Sequence, residues 1–519
     1  MSEEATTVTI ELLPGEAWWG GAVADGQAMP FGTGPQSRDL GANAGFADNP
    51  GAGANQSAPL LLSSAGRVVW SERPFAFAFG DGKLTAGDGA RLFEAPVRTL
   101  KEAFLLASRR FFPPSGRTPA RELFEGPQYN SWIEMPYAPT QEGVIAYVNG
   151  LLDAGFPPGV LMIDDRWSAD YGDWRFDASR FPDPAAMVRQ LHAKGFQVML
   201  WLVPFISPDS DQFRELRSLG LLLTGADGEV VIREWWNGFS ALLDMTDPEA
   251  ARWLQSRLDA LRDDFGVDGF KFDAGDLRDY RDADRPARGS GPVDLCEAYA
   301  RLGLHYGFNE YRACWKMGGQ PLAQRLHDKP PTWGTDGLLS LIPEGLAQGL
   351  IGHAFTCADM VGGGELSAFA AGADVDQEQF VRYAQCAALF PMMQFSMSPS
   401  RVLDTEHLAA VRAAVALRQD LLPEILALAG QAAQTGEPII RPLAYHYPGF
   451  EHVRDQFLLG ERILVAPVLE RGAVRRAVVL PAGTWTAPDG SEYGEGTVEL
   501  AVGLDSLPLF RRTGPALSG

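Results

Sequence analysis

Two hydrophobic runs in this sequence end in acids. GVLMIDD (159–165) closes on Asp164 and Asp165, and VDGFKFD (267–273) closes on Asp273, with Asp276 three residues further on. Lys271 stands two residues before Asp273, so both side chains leave the same side of an extended strand. An ammonium group placed there favours an ionised Asp273, as a carboxylate nucleophile requires. A second carboxyl group nearby, held protonated, would complete an acid–nucleophile pair. Two other readings fit the same residues. The acids can simply cap the following loops, with Lys271 in a buried ion pair, or Asp164, Asp165, Asp273 and Asp276 can form the ligand set of a metal-dependent enzyme. The histidines show no H-x-x-x-H or comparable pairing, so no zinc or non-haem iron site is expected and no cofactor is implied. The acidic stretch 273–285 (DAGDLRDYRDADR) lacks the spacing and glycine of a calcium loop and is expected to be a solvated face.

The runs that carry these acids belong to a regular alternation. Helical periodicity in GVIAYVNGLLDAG (143–155) precedes GVLMIDD, PAAMVRQLHAKG (184–195) precedes FQVMLWLVPF, and PEAARWLQSRLDALRDDFG (248–266) precedes VDGFKFD. The last helix has Thr246 or Asp247 as a cap and Pro248 in its first turn. Near-continuous hydrophobic strands separated by helices indicate a parallel sheet covered by helices. About 300 residues follow this rhythm, which fits a (β/α)8 TIM barrel, where strand-end acids face the mouth. No G-x-G-x-x-G opens a helix after a strand, so a dinucleotide site is not supported.

Residues 1–125 read instead as strands (TVTIELL, RVVWSERPFAFAFG) between Gly, Asn and Pro clusters, with 32–58 as a long loop. After about 425 strands return in FLLGERILVAPVLE, RRAVVLPAGTW and TVELAVGLDSLPLFRR. The expected fold is therefore an N-terminal β-sandwich (1–125), a catalytic barrel (126–425) and a C-terminal β-sandwich (426–519). The 519 residues include 44 Lys and Arg against 66 Asp and Glu, a net charge of −22. This argues against nucleic acid and anionic membrane as partners. Cys296, Cys314, Cys357 and Cys386 form no C-x-x-C pair and are expected as buried free thiols. The N-terminus MSEEATTVTIELLPGE has no basic and apolar leader, so a soluble, cytoplasmic chain is expected. Oligomeric state stays open, with a homo-oligomer among the possibilities.

At VDGFKFDAGD the sequence resembles the nucleophile strand of glycoside hydrolase family 31, the retaining α-glycosidases. The stretch TWGTDGLLSLIPEGLAQGLIGHAFTCADMVGGG (332–364) resembles that family's acid/base segment. PQYNSWIEMPY (127–137), YGDWRFDASRFPDP (171–184), WWNGFSALLDMTDPEA (235–250), FPMMQFSMSP (390–399) and FLLGERILVAPV (457–468) occur in the family's order, over about residues 15–515. The resemblance implies Asp273 as nucleophile and Asp336 as acid/base, working by double displacement on a small oligosaccharide or glycoside. In that mechanism the two carboxyl groups stand about 5–5.5 Å apart, and the acid/base is protonated in the free enzyme through burial or the neighbouring charge.

AWWGGAVADGQAMPF (17–31) and the WGTDG…DMVGG run are most similar to the branch holding bacterial α-galactosidases and the mammalian myogenesis-regulating glycosidase. This implies an exo-acting α-galactosidase, with an α-glucosidase, α-xylosidase or transglycosylase as alternatives inside the family and a non-catalytic carbohydrate-binding protein outside it. Asp164 and Asp165 are expected to grip sugar hydroxyls, Trp201 and Trp236 to wall the sugar, Trp333 to screen the acid/base, and Asp359 to support the site from a later strand, while Gln394 and Ser396 stand where other branches carry charged sugar-binding residues. Where the family carries an arginine about twenty residues before the acid/base, alignment places Lys316, a point charge in place of a planar fork; either Lys316 reads a different hydroxyl pattern or a nearby group such as Gln320 compensates.

Overall fold

The computed structural model describes residues 7–42, 55–289, 291–369 and 374–514. Eight parallel strands form the central sheet: β1 (Gln128–Asn130), β2 (Val160–Ile163), β3 (Gln197–Leu202), β4 (Gly269–Phe272), β5 (Phe308–Tyr311), β6 (Gln324–Arg325), β7 (Thr356–Cys357) and β8 (Gln394–Phe395). Neighbours pair in chain order, and β8 pairs with β1. Single bridges Cys357–Met392 and Val361–Phe395 nearly close the ring between β7 and β8. Strands β2, β3 and β4 are buried along most of their length, which is why they read as apolar runs and not as alternating ones.

Helices come after most strands: α1 (Gln141–Asp153), α2 (Pro184–Ala193), α3 (Pro248–Phe265), α4 (Pro292–Leu302), α5 (Leu341–Leu350), α6 (Gln377–Ala388) and α7 (Thr405–Asp420). The three helices read from periodicity form within two residues of their expected ends. At α3 the Asp247 side chain accepts from the Glu249 amide and Pro248 opens the helix. The β5–β6 connection holds no α-helix. Its residues Cys314–Trp315 instead pair in parallel with Gln56–Ser57 of the N-terminal region, so barrel and N-terminal sheet share a strand pair.

The N-terminal region is two antiparallel sheets. One holds Val8–Glu11, Lys83–Ala86, Ala76–Gly80 and Gln36–Asp39; the other holds Trp18–Ala22, Gln56–Ser63, Arg67–Trp70 and Arg91–Glu94. Rings meet between them, Trp18 on Phe79 at 6.3 Å and Phe31 on Phe77 at 5.8 Å. The long loop expected over 32–58 is corrected at both ends, because Gln36–Asp39 pairs with Ala76–Gly80 and Gln56 begins a strand. Positions 43–54 of that expectation lie outside the described residues. The C-terminal region is a six-stranded sheet beside the Arg475–Leu480 and Gly496–Ala501 pair, with its own core around Leu458, Leu464, Val478 and Trp485. The expected boundary at 425/426 falls inside the helix Leu422–Thr435.

The acidic stretch 273–285 is not a solvated face. Residues 273–280 are buried, and so is Asp284. Asp276 caps the turn Leu277–Asp279, accepting from the Leu277 amide at 2.6 Å, while its own amide donates to Asp279 at 3.0 Å. Asp284 pairs with Arg233. Asp276 and Asp279 fasten the loop after β4 to itself and Asp284 fastens it to Arg233, while burial still pushes the Asp279 carboxyl up to about 6. The four cysteines are all free and buried. Among the described residues no helix is long and apolar enough to cross a membrane.

Candidate active site

A cavity of about 970 Å³ opens at the C-terminal ends of the barrel strands. Strand ends supply its floor: Asp164 and Asp165 after β2, Trp201 in β3, Asp273 after β4, Arg312 after β5, and His327 with Asp328 after β6. Loops supply the walls: Trp132 and Tyr137 after β1, Trp236 from an excursion after β3, Thr335 with Asp336 before α5, and Glu365–Ser367 after β7. Ala24, Gln27 and Asn55 come from the N-terminal region.

Asp273 is the most thoroughly held group. Its Oδ1 accepts from Arg312 Nε at 2.8 Å and from the Ala274 amide at 2.8 Å, and its Oδ2 accepts from Trp201 Nε1 at 2.8 Å. Burial alone would push this carboxyl up, but Arg312 first, then Lys271 and the Trp201 hydrogen bond, hold it well below the usual carboxylate range. Asp273 is therefore ionised while buried, with Oδ2 carrying one donor against two on Oδ1. Lys271 does not pair directly with it; the ammonium donates to Asp164 Oδ2 at 2.7 Å. Burial lowers the Lys271 affinity for its proton, and Asp164 more than restores it.

This geometry predicts the result of removing the guanidinium. Arg312→Met leaves Asp273 as an unpaired buried charge, which costs about 3–5 kcal/mol at neutral pH. In the wild type the lowered carboxyl contributes stability above the ordinary Asp pKa and loses it as pH falls further. In the variant burial is opposed by Lys271, the Trp201 hydrogen bond and Arg325 without the Arg312 guanidinium, so the carboxyl takes up a proton at higher pH than in the wild type and the penalty shrinks as that proton neutralises it. Melting temperatures of the two proteins between pH 4 and 8 should therefore converge toward acid.

Asp165 has the opposite character. It is 2% exposed, and burial first, then Asp164, push it up to about 7 against the donors Asn237 and Tyr171. His327 is held well below its ordinary value by burial and by Lys329, Arg312 and Arg325, so it lines the cavity as a neutral ring. Asp336 lies exposed on its loop, accepting from Thr332 Oγ1 at 2.6 Å. The burial expected around it is not found.

Of the residues singled out in the sequence, Asp164, Asp165, Trp201, Trp236, Lys271, Asp273 and Asp336 all line this cavity, although 63 residues separate the last two in the chain. Others do not. Lys316 is carried away because Cys314–Trp315 leaves the barrel to pair with the N-terminal sheet; its Nζ lies 3.7 Å from Glu72 and over Trp70. Two arginines reach the site, Arg278 from the loop after β4 and Arg312 directly after β5, and neither Lys316 nor Gln320 lines the cavity. Trp333 turns its Nε1 to Asp376 at 2.9 Å, tying the Asp336 loop to the cap of α6. Asp359 is fully buried and accepts from Arg325 at 2.5 Å and from the Lys329 and Gly364 amides. Arg325 also pairs with Asp328, so Asp359 acts on the wall through an intermediary. Gln394 lies in the barrel interior, bonded to Gln128, Asn130 and Glu310.

The four strand-end acids are not gathered as a ligand set. Asp164 takes Lys271, Asp273 takes Arg312 and Trp201, Asp165 takes Asn237 and Tyr171, and Asp276 takes backbone amides. Arg312, Asn237 and His327 are not singled out by residue type and spacing alone. Arg312 directly follows FNEY (308–311), whose Asn309 and Glu310 interrupt any apolar run, so no strand-end pattern marks it; no local pattern marks Asn237 either.

Comparison with known proteins completes this picture. The glycosyl hydrolases family 31 TIM-barrel domain matches residues 126–316, and the glycosyl hydrolase family 31 C-terminal domain matches residues 436–517. The chain is 36% identical over 429 residues to the myogenesis-regulating glycosidase of Mus musculus, covering 78% of this chain and 58% of that protein. It is 29% identical over 405 residues to the alpha-xylosidase XylQ of Lactiplantibacillus pentosus, covering 72% and 51%. It thus spans about half the length of the curated relatives it matches. A Flavobacterium johnsoniae dextranase complexed with glucose shares the fold, with a TM-score of 0.85 at 21% identity over 99% of this chain and 67% of the other.

Proposed function

Because the chain belongs to glycosyl hydrolase family 31, we propose that its cavity cleaves a terminal α-linked sugar with retention of configuration. The observation that carries this is Asp273: a buried, ionised carboxylate at a strand end, facing a cavity that also receives Asp336. In the proposed reaction an Asp273 oxygen attacks the anomeric carbon while the bond to the leaving oxygen breaks. Oδ2, with its single donor, keeps more acceptor capacity for that attack. Asp336 gives its proton to the leaving group. It then takes a proton from water as the water oxygen bonds the anomeric carbon and the ester to Asp273 breaks. Arg312 holds Asp273 in its ionised form and in place, and Trp201 and Trp236 supply flat apolar walls for the sugar.

The substrate we infer is an α-D-galactoside. Adjacent acceptors at Asp164 and Asp165 suit neighbouring ring hydroxyls, and the segments at 17–31 and 332–364 resemble the branch that holds α-galactosidases and the myogenesis-regulating glycosidase. An α-xyloside is the second reading, favoured by the relative whose name gives that sugar. Four unpaired buried thiols support a reducing, cytoplasmic setting.

Aryl α-galactoside, α-glucoside and α-xyloside should be compared side by side, with proton NMR of the first product. Release of α-galactose before mutarotation is the expected result. Cleavage of the glucoside or xyloside with the galactoside inert refutes the sugar assignment, and a β-product refutes the mechanism. Binding without cleavage of any glycoside points to a non-catalytic carbohydrate-binding protein.

A further inference from the structure

Between β3 and α3 the chain makes an excursion in which Phe205–Ile206, Gly238–Leu242 and Ile232–Trp235 form a small antiparallel sheet. Trp236 and Asn237 are the turn of its hairpin, with Gly238 next at a φ of +94°. The hairpin is firmly seated. Trp235 stacks on Phe205 at 4.3 Å and meets Tyr171 edge-on at 4.9 Å, and Arg233 pairs with the buried Asp284. Its turn therefore presents two side chains to the site in fixed positions. Trp236 becomes a cavity wall, and Asn237 Nδ2 donates to Asp165 Oδ2 at 2.7 Å. Tyr171 places its hydroxyl 3.1 and 3.2 Å from the two Asp165 oxygens.

We propose that Asn237 is a positioning residue for sugar recognition, which fixes the Asp165 carboxyl as a hydrogen-bond acceptor for substrate hydroxyls in the cavity. The proposal rests on the glycoside reading of the cavity and adds to it a residue on a separate structural element. Oδ2 is occupied by Asn237, while Oδ1 carries only the shared Tyr171 contact and keeps acceptor capacity for a ligand. The groups around Asp165 set its charge. Asp164 stands beside it, ion-paired with Lys271 and still raising it; Arg166 lies over the Tyr171 ring; Tyr137 faces it from the loop after β1. Only Asn237 reaches it from the hairpin among the groups that set its protonation. With Asp165 pushed up to about 7, sugar binding that needs the ionised acceptor weakens as pH falls through neutrality. Loss of the Asn237 donor moves that weakening to higher pH.

The test uses the full chain with Asn237→Leu and Asn237→Gln, and methyl 1-thio-α-D-galactopyranoside as an uncleaved probe measured by calorimetry from pH 5 to 9. Asn237→Leu should raise Kd about tenfold at pH 7, the loss of one hydrogen bond to a charged acceptor, and shift the acid limb of binding upward. Asn237→Gln, which keeps a donor, should recover part of both. For hydrolysed aryl galactoside the loss should appear in KM, with kcat at high pH retained, because Asn237 does not reach the anomeric centre in the proposed mechanism.

A ligand-free readout accompanies this. A carboxyl raised in the folded state contributes stability that is present below its ordinary pKa and lost as pH rises toward about 7. In Asn237→Leu that loss should continue to higher pH, visible as a difference in melting temperature against wild type. Profiles that differ only by a constant offset, or an unmoved acid limb in binding, overturn the proposal. A probe that fails to bind wild type at every pH overturns the galactoside assignment, and the melting profiles then still report whether Asn237 governs Asp165.

Discussion

Asp273→Asn should lower turnover of an aryl α-glycoside by roughly 10⁴–10⁶-fold, the order found when a covalent nucleophile is removed. The amide is nearly isosteric with the carboxylate and keeps an oxygen for Arg312 Nε and the Ala274 amide. The fold should therefore survive, as circular dichroism would verify. Asparagine is the better choice than alanine here, because alanine would leave the Arg312 guanidinium buried without its partner. A second measurement addresses the covalent step directly. A 5-fluoro-α-galactosyl fluoride, whose electron-poor ring slows both steps, should label the wild type once, on the peptide containing Asp273. Turnover of the Asn variant within tenfold of wild type, or a label on another residue, would remove Asp273 from the nucleophile role.

Asp336→Ala has the second largest expected effect, and a different signature. A glycoside with a poor leaving group loses the proton donor it depends on, and its rate should fall roughly 10²–10⁴-fold. A 2,4-dinitrophenyl glycoside needs little protonation, so it should still transfer its sugar to Asp273 and then stall for want of a base. Azide, an anion that needs no deprotonation, should restore release and give a glycosyl azide of retained configuration. Asp336 is exposed and accepts from the Thr332 hydroxyl on the same exposed loop, so its truncation leaves no buried group stranded. Equal losses for both leaving groups, with azide inert, would argue that Asp336 is not the acid/base.

The two variants are unequal because the two carboxyl environments are unequal. One is buried and surrounded by cations; the other is exposed on a loop tied down by Trp333 through Asp376. That contrast is only partly legible in the chain. Strand period puts Lys271 on the same side as Asp273, two residues away, yet its ammonium pairs with Asp164 and Arg312 makes the contact with Asp273. The period places the backbone of Lys271 correctly but cannot say which of two nearby acids its long side chain will choose.

Local patterns determine the fold class and part of the site. Buried β2, β3 and β4 are largely apolar and their helices repeat every 3.6 residues, so these units, their strand ends and the acids on those ends are written in the sequence, whereas β1, β5, β6 and β8 carry buried polar residues such as Gln128, Glu310, Arg325 and Gln394 that no apolar run announces. Asp164, Asp165 and Asp273 are legible that way, and motif likeness adds Asp336. Tertiary structure decides the rest. It buries much of the acidic stretch 273–285, because Asp276, Asp279 and Asp284 meet their partners within the loop and on the hairpin. It moves Lys316 out by pairing Cys314–Trp315 with Gln56–Ser57 far back in the chain, and sets Arg312 in the cavity. It also brings Asn237 to Asp165 across 72 residues. Residue type and spacing fix what a segment can form and which face its side chains take. Which distant partner each charge meets depends on packing between segments, and that exists only once the chain has closed into its barrel.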